Sequence, residues 1–271
     1  MAVTLTEAQL VHVVQKLKTS HRWIKVAGDI EATLEHRIRD QEFLVDRWPD
    51  YRAMVVQAKQ NDIELKYLRP IVDLYATDVD ALRDLLEQLD WTKEKRFECV
   101  DSTLTPVLTE VAQLHRTLTR EIYDCVYLIV TQDTLKLRPV PEGCVMSNLE
   151  ADHTALVDST WDLRNGDLSK DYIRHLITTL PSTCLYNQEG EVMGYALTYH
   201  YGCLGVLYVP QNHRGKGYGK VAMSHLVQKH LEKRKEVLVM IQRENIPSIK
   251  MHEGIGFQVI PDMRYDWIFC E

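Results

Sequence analysis

Arg214-Gly215-Lys216-Gly217-Tyr218-Gly219 is the stretch on which the reading of this chain turns. It follows a run that reads as strand, 205–210, and opens one that reads as helix. The glycines let the backbone turn through φ > 0 and leave no Cβ between the amides and a ligand, so successive N–H groups can converge on an anion. The helix start adds unpaired donors and the positive end of its dipole. Arg214, Lys216 and Lys220 bring full charges for a ligand with more than one phosphate.

The spacing differs from those of two better known phosphate loops. A Walker loop ends in Gly-Lys-Ser/Thr, whereas Gly219 is followed by Lys220-Val221. A Rossmann fingerprint needs a third glycine, and the chain continues Lys220-Val221-Ala222. The R-x-x-G-x-G pattern instead resembles the pyrophosphate motif of the GNAT superfamily of N-acyltransferases, whose loop binds the pyrophosphate of acyl-coenzyme A. A second landmark agrees. Asn245-Ile246-Pro247-Ser248-Ile249-Lys250-Met251-His252-Glu253-Gly254-Ile255-Gly256-Phe257 is similar to the superfamily segment in which an Asn opens a helix ending Leu-Tyr-x-x-x-Gly-Phe. Met251 stands at the leucine, His252 at the tyrosine, and Gly256-Phe257 match outright.

The 271 residues, 45% hydrophobic and 26% charged, suffice for two modest domains with a sizeable core. A net charge of −7 argues against a dedicated nucleic-acid binder. The one basic run, 229–235, lies at a helix end, where it complements the dipole. Six cysteines without a C-x-x-C pair read as reduced core thiols of an intracellular protein. No apolar stretch approaches the roughly 18 residues of a membrane span, and residues 1–20 lack a secretory h-region. The eleven histidines show no H-E-x-x-H spacing, so no metal is expected.

Along the chain, Thr6 and Gln9 have capping-box spacing before Leu10, Val13, Val14 and Leu17, an amphipathic helix. Residues 54–56 and 71–75 read as buried strands. Asp78 caps a helix carrying Leu82, Leu85, Leu86 and Leu89. Leu104, Val107, Leu108, Val111 and Leu118 mark another helix, and 125–130 a strand. Arg138-Pro139-Val140-Pro141-Glu142-Gly143 interrupts both periodicities, giving expected domains 1–138 and 143–271. The second reads as strand 144–149, helices around Val157 and over 172–180, a hairpin 183–200, strand 204–209, the glycine loop with its helix, strand 237–242, helix 246–253 and a closing strand pair in 257–269. That order is the GNAT order.

The whole chain resembles, more narrowly, the glycine N-acyltransferase family, whose members transfer acyl groups from coenzyme A to the amine of glycine or another amino acid. Val45-Asp46-Arg47-Trp48-Pro49-Asp50-Tyr51 resembles the family's Val-Asp-Lys-Trp-Pro-Asp-Phe, and Ile177-Thr178-Thr179-Leu180-Pro181-Ser182-Thr183-Cys184-Leu185 resembles its Phe-Pro-Thr-Cys segment. The resemblance implies an α/β (α+β) fold of two GNAT-like layers in tandem. Each is a mixed, mostly antiparallel sheet flanked by helices, and the cofactor site lies in the C-terminal domain. It implies acyl-coenzyme A as co-substrate, a small amino acid as acceptor, and a mitochondrial or otherwise cytoplasmic location.

By resemblance, Arg214, Gly215, Lys216, Gly217, Tyr218, Gly219 and Asn245 belong to the cofactor site. The free backbone of Leu207, Tyr208 and Val209, on a strand splayed from its neighbour, holds the pantetheine and thioester oxygen. His252 takes the place of the general-acid tyrosine. The chain departs from the family at Pro210-Gln211-Asn212-His213-Arg214, where some members have Pro-Glu-Tyr-Arg with a glutamate proposed as base. Glutamine accepts no proton at neutral pH; His213 and His200 are candidate bases, because an imidazole titrates near pH ~6.5 in model peptides, and a water relay to bulk is the alternative, since the amine loses only one proton. Surface histidine is the alternative identity for both, and a packed helix-end residue for His252. Two competing functions stay open: a GNAT enzyme acting on protein lysines or N-termini, and a coenzyme A-binding module without catalysis.

Overall fold

A computed structural model describes residues 2–59, 64–115 and 119–270 of the chain. In chain order the elements are β1 (Val3–Thr4), α1 (Glu7–Leu17), α2 (Ile24–Leu34), β2 (Gln41–Val45), β3 (Ala53–Ala58), β4 (Ile71–Ala76), α3 (Val79–Leu86), β5 (Lys95–Asp101), α4 (Thr105–Leu114) and β6 (Thr119–Thr131). There follow β7 (Cys144–Ser147), α5 (Thr154–Thr160), α6 (Gly166–Thr179), β8 (Ser182–Asn187), β9 (Val192–Thr198), β10 (Leu204–Tyr208), α7 (Tyr218–Leu231), β11 (Glu236–Gln242), α8 (Ile246–Glu253), β12 (Gln258–Val259) and β13 (Tyr265–Cys270). The chain divides into two compact units, Met1–Cys125 with Met263–Glu271, and Val126–Asp262.

The first unit orders its strands β1-β2-β3-β4-β5-β13, with the start of β6 beside β13. Thr6 and Gln9 form the expected capping box, and Leu10, Val13, Val14 and Leu17 are buried. Asp78 accepts the Ala81 N–H at 3.0 Å, and Leu82, Leu85 and Leu86 face the core. Val107, Leu108 and Val111 line α4, whereas Leu118 falls outside the described residues.

Periodicity passes over β1, β2, α2 and β5 of this unit, and for α2 and β5 the reason is shared. Both carry charges into the core. Every residue of β5 is buried, Lys95, Arg96, Glu98 and Asp101 included, with Arg96 bonded to Glu98 at 2.9 Å. In α2, the buried Lys25 ammonium lies 3.0 Å from Asp29 and 2.8 Å from Asp73 of β4. Burial pushes the Asp73 carboxyl up to about 7, against the pull of Lys25 and with the push of Asp29. Two carboxylates beside one ammonium hold part of a proton between them.

The second unit orders its strands β7-β8-β9-β10-β11, then the end of β6 with β12 on its far side. Thus the units part elsewhere than at 138–143. That segment is bound into the second unit: the Arg138 N–H donates to Ser224 Oγ (3.2 Å), its guanidinium to the Gly254 carbonyl (2.8 Å), and His225 Nε2–H to the Arg138 carbonyl (2.9 Å). Prolines mark an irregular segment, and here it is a docked one. Nor do the last strands pair with each other. β12 joins β6 at Gln258↔Ile129, β13 joins β5 and the start of β6, and Pro261 with Asp262 (φ 59°) turns the chain between them.

Each unit contains the same motif, parallel strands joined by a helix: β4-α3-β5 in the first and β10-α7-β11 in the second. The helix starts differ. In the first unit Asp78 caps α3 and pairs with Arg52 at 2.6 Å, so a carboxylate occupies the anion-attracting end. In the second, glycines stand there and no acid does.

Two outcomes are expected. The Asp73 carboxyl is raised on folding, so its protonated form stabilises the native state below its unfolded value of 3.8, and this contribution is lost as pH rises through about 7. The unfolding free energy of Asp73→Asn minus that of the parent, from urea titrations, is therefore expected to rise with pH across that window; a flat difference refutes the shared-proton cluster. The fragment 126–262 keeps all strands of its sheet, whereas 143–271 loses the end of β6 and carries an unpartnered β13. By circular dichroism the first is expected to be cooperatively folded and the second not.

Candidate active site

The site begins with a break in β10. This strand pairs in parallel with β11 at Leu204↔Val239, near its start, and antiparallel with β9 at Leu204↔Thr198, Gly205↔Leu197 and Tyr208↔Tyr195. A register shift falls between Gly205 and Tyr208, with Val206 at φ 47°. A β-branched residue in the left-handed region is strained, and a bulge of this kind bends a strand away from its neighbour. The backbone of Leu207, Tyr208 and Val209 thereby leaves the β11 ladder, and the Tyr208 ring rests on Tyr195 at 5.7 Å.

Beyond Val209 a short turn, Gln211–His213, leads into the glycine loop. Gly215 and Gly217 have φ 78° and 87°, and Gly217 is the N-cap of α7. The first helical bonds are Lys220 N–H and Val221 N–H to the Gly217 carbonyl. The N–H groups of residues 215–219 have no acceptor among the described residues. A Cβ built on Gly215 or Gly217 would meet nothing within 4 Å, so the space over these amides is open. Arg214 and Lys216 are exposed, and Arg214 Nε donates to the Val209 carbonyl at 3.1 Å, which ties the loop to the end of β10. Tyr218 anchors the helix start against Leu185, Met193 and Val221. Free amides, a helix N-terminus, two cations and open space fit a diphosphate.

On α8, Asn245 is the N-cap; its Oδ1 accepts the Ser248 N–H at 3.1 Å, which commits that oxygen to capping. His252 is 3% exposed, its ring edge-on to Phe257 at 5.2 Å. Its Nδ1 lies 2.8 Å from the Ser248 carbonyl. A carbonyl only accepts, so Nδ1 carries the hydrogen and Nε2 presents a lone pair, buried and without a protein partner. Burial lowers the imidazole to about 4. A neutral His252 accepts at Nε2, so the imidazolium acid implied by the tyrosine position does not fit its surroundings. Gly256 follows at φ 102°, where a Cβ would collide with the Thr134 carbonyl; only glycine closes this turn.

The two remaining histidines separate. His200 is 1% exposed, bonded through Nδ1 to the Tyr172 hydroxyl at 2.7 Å, beside the β9–β10 turn and so at the opposite end of β10 from the loop. It is neither a surface histidine nor a neighbour of the loop. His213 stands in the turn before the loop, 3.0 Å from Glu191. Sequence reading passed over Glu191, because nothing local marks a turn glutamate that meets a histidine 22 positions away. No group of three or more His, Cys, Asp or Glu side chains suited to a metal occurs among the described residues. The described cysteines are free thiols, and no described helix is long and apolar enough to cross a membrane.

Residues 1–181 match the aralkyl acyl-CoA:amino acid N-acyltransferase family, and residues 184–268 match the FR47-like proteins. The chain belongs to the aralkyl acyl-CoA:amino acid N-acyltransferase family. It is an acyltransferase. Relatives in this family include glycine N-acyltransferase of Rattus norvegicus, 23% identical over 73% of this chain and 75% of the relative, and that of Bos taurus, 21% identical over 97% of both. Bovine glycine N-phenylacetyltransferase is 21% identical over 82% of each chain. Among solved structures, a Drosophila protein superposes with a TM-score of 0.84 at 16% identity, covering 99% of this chain and 97% of its own. A tandem GNAT protein from clavulanic acid biosynthesis gives 0.62 at 13%, with the same coverage. The fold is that of tandem GNAT domains.

His252 and His230, the latter bonded through Nε2–H to Thr198 Oγ1 at 2.8 Å, are both lowered to about 4 by burial. Each stabilises the native state above its unfolded value of 6.5, and this is lost as pH falls toward about 4. Imidazole nitrogen-15 spectra of the folded protein are expected to keep both rings neutral at pH ~5.5, where model-peptide histidine is largely protonated. A charged His252 at that pH contradicts its assignment as an acceptor.

Proposed function

We propose that this protein transfers the acyl group of an acyl-coenzyme A to the amine of glycine or another small amino acid. The observation that carries the reading is the open row of free amides at residues 215–219, set at the N-terminus of α7 directly after the break in β10. In this reading Arg214, Gly215, Lys216, Gly217, Tyr218 and Gly219 hold the pyrophosphate. The freed backbone of Leu207, Tyr208 and Val209 lies along the pantetheine and donates to the thioester oxygen. Asn245 fixes the start of α8, and Nε2 of His252 accepts a hydrogen bond near the reacting sulfur. The attacking amine loses a proton, the carbonyl oxygen gains charge, and the thiolate takes a proton as it leaves. Of the two candidate bases, the position of His213 beside the loop favours it over His200.

The family and its relatives, among them bovine glycine N-phenylacetyltransferase, support a small amino acid acceptor over a protein lysine. A mitochondrial address belongs to the same proposal and is checked by cell fractionation. Thiol release measured over a panel of acyl-coenzyme A donors with amino acid and peptide amines tests the whole reading. Release with amino acids supports it, release with peptides alone redirects it, and binding without release leaves only a binding module.

Gly217→Val is expected to raise the acyl-coenzyme A dissociation constant by about tenfold or more, roughly 1.4 kcal/mol. The branched side chain is strained at φ 87° and fills the space over the amides. Arg214→Ala is expected to cost less, since an exposed charge is screened and the amides remain. An equal loss with dephospho-coenzyme A assigns the contact to the pyrophosphate. Unaltered affinity in a folded Gly217→Val protein, judged by calorimetry and circular dichroism, refutes the assignment.

A further inference from the structure

The β8–β9 turn carries an arrangement that the loop motif does not account for. Glu191 closes this turn: its N–H donates to Asn187 Oδ1 at 2.8 Å, Asn187 Nδ2 donates to Glu191 Oε2 at 3.1 Å, and Asn187 N–H donates to the Glu191 carbonyl at 3.0 Å. The carboxylate is thus held by its own turn, and its other oxygen, Oε1, lies 3.0 Å from Nε2 of His213. The bond to His213 and its charge lower the Glu191 carboxyl below the usual range, so it is an ionised acceptor. An ionised carboxylate cannot donate. Nε2 therefore carries the hydrogen, and the free lone pair of His213 is on Nδ1, which is shielded from solvent and has no hydrogen-bond partner in the protein. The groups facing His213 are Glu191 from the turn and the Tyr218 ring from the start of α7, 6.2 Å away. The neighbouring Arg214 turns its guanidinium to the Val209 carbonyl.

We infer that Glu191 is a positioning residue for the acyl transfer, fixing His213 in the Nε2–H form and making Nδ1 the acceptor of the amine's proton. Glu191 supplies from the preceding hairpin the carboxylate that Pro210-Gln211-Asn212-His213 lacks. The inference rests on the acyltransferase reading above. An acceptor ammonium passes one proton to Nδ1, and the lone pair so freed forms the C–N bond. The C–S bond breaks with its electron pair going to sulfur, and the proton released from the new amide nitrogen goes to the thiolate. His213 then gives up its proton to water admitted as the products leave. Glu191 is half exposed, which screens its charge and bounds its effect.

The test uses the full chain as parent, Glu191→Gln, Glu191→Ala and His213→Gln. Imidazole nitrogen-15 spectra, with His213 assigned by its loss in His213→Gln, are expected to show the Nε2–H form in the parent and a mixture of forms in Glu191→Ala. His213→Gln is expected to lower kcat by about 100-fold or more and abolish the acid limb of the kcat/KM profile. Glu191→Gln is expected to lower kcat by about tenfold, because a neutral amide holds the Nε2–H form less firmly than a carboxylate does. Coenzyme A affinity is expected to stay at the parent value in all three variants, whereas a role confined to shaping the phosphate loop would weaken it in step with rate. An Nδ1–H form in an active parent, an acid limb surviving in His213→Gln, or affinity falling with rate each overturns the inference. Thiol release absent with every donor, in a protein that shows the Nε2–H form, refutes the acyltransferase reading and the base role with it.

Discussion

The second unit is arranged around the point at which β10 and β11 part. Two parallel strands joined by a helix cannot stay paired beyond the point at which one of them bends. Here the bend is forced within the register shift, with Val206 held at φ 47°. A residue in that conformation costs about 1–3 kcal/mol, and the neighbouring β9 pairing on both sides of it holds it in place. Past the break, backbone groups that would otherwise bond to a strand are left to bond to something else. After the short turn in which the His213 and Arg214 N–H groups bond back to the Pro210 and Gln211 carbonyls, the N–H groups of residues 215–219 are again unengaged up to the start of α7.

The first unit shows the same motif with a different helix start. β4 and β5 pair at Ile71↔Arg96 and Val72↔Phe97, and the next residue of β4, Asp73, turns to a buried ammonium. At the helix start, Asp78 caps α3 with a carboxylate. An ionised side chain at a helix N-terminus satisfies the same donors that would hold a phosphate and repels one as well. The two units therefore share a topology, while only the second leaves the amides at its helix start open. The difference lies in a few residues at one junction, glycines in one case and an acid in the other.

The site also shows how burial revises a role drawn from sequence position. His252 stands where the superfamily segment has a tyrosine, and position alone makes it a proton donor. In the fold its ring is enclosed, its Nδ1–H is spent on the Ser248 carbonyl, and the charged form is disfavoured. A histidine in such a setting accepts. His200, equally a candidate by sequence, is bonded to Tyr172 within a cluster of aromatic rings, and its ring is covered.

What the sequence by itself determined is whatever a local backbone preference controls. The glycine loop, the capping box at Thr6, the Asp78 cap and the apolar faces of α1, α3 and α6 all depend on residues within a few positions of one another, and each is legible for that reason. Family membership was legible too, because its motifs are of the same local kind. Only the tertiary structure decided the rest. Charged β5 is a core strand because its charges are paired inside, and Lys25 meets Asp73 from 48 positions away. The strands β6 and β13 serve sheets that the proline-marked segment does not divide. Glu191 reaches His213 because β9 runs antiparallel to β10 and brings the start of one beside the end of the other. Such pairs are set by register and by the free energy of burying charge, and neither quantity is a property of a short stretch of chain.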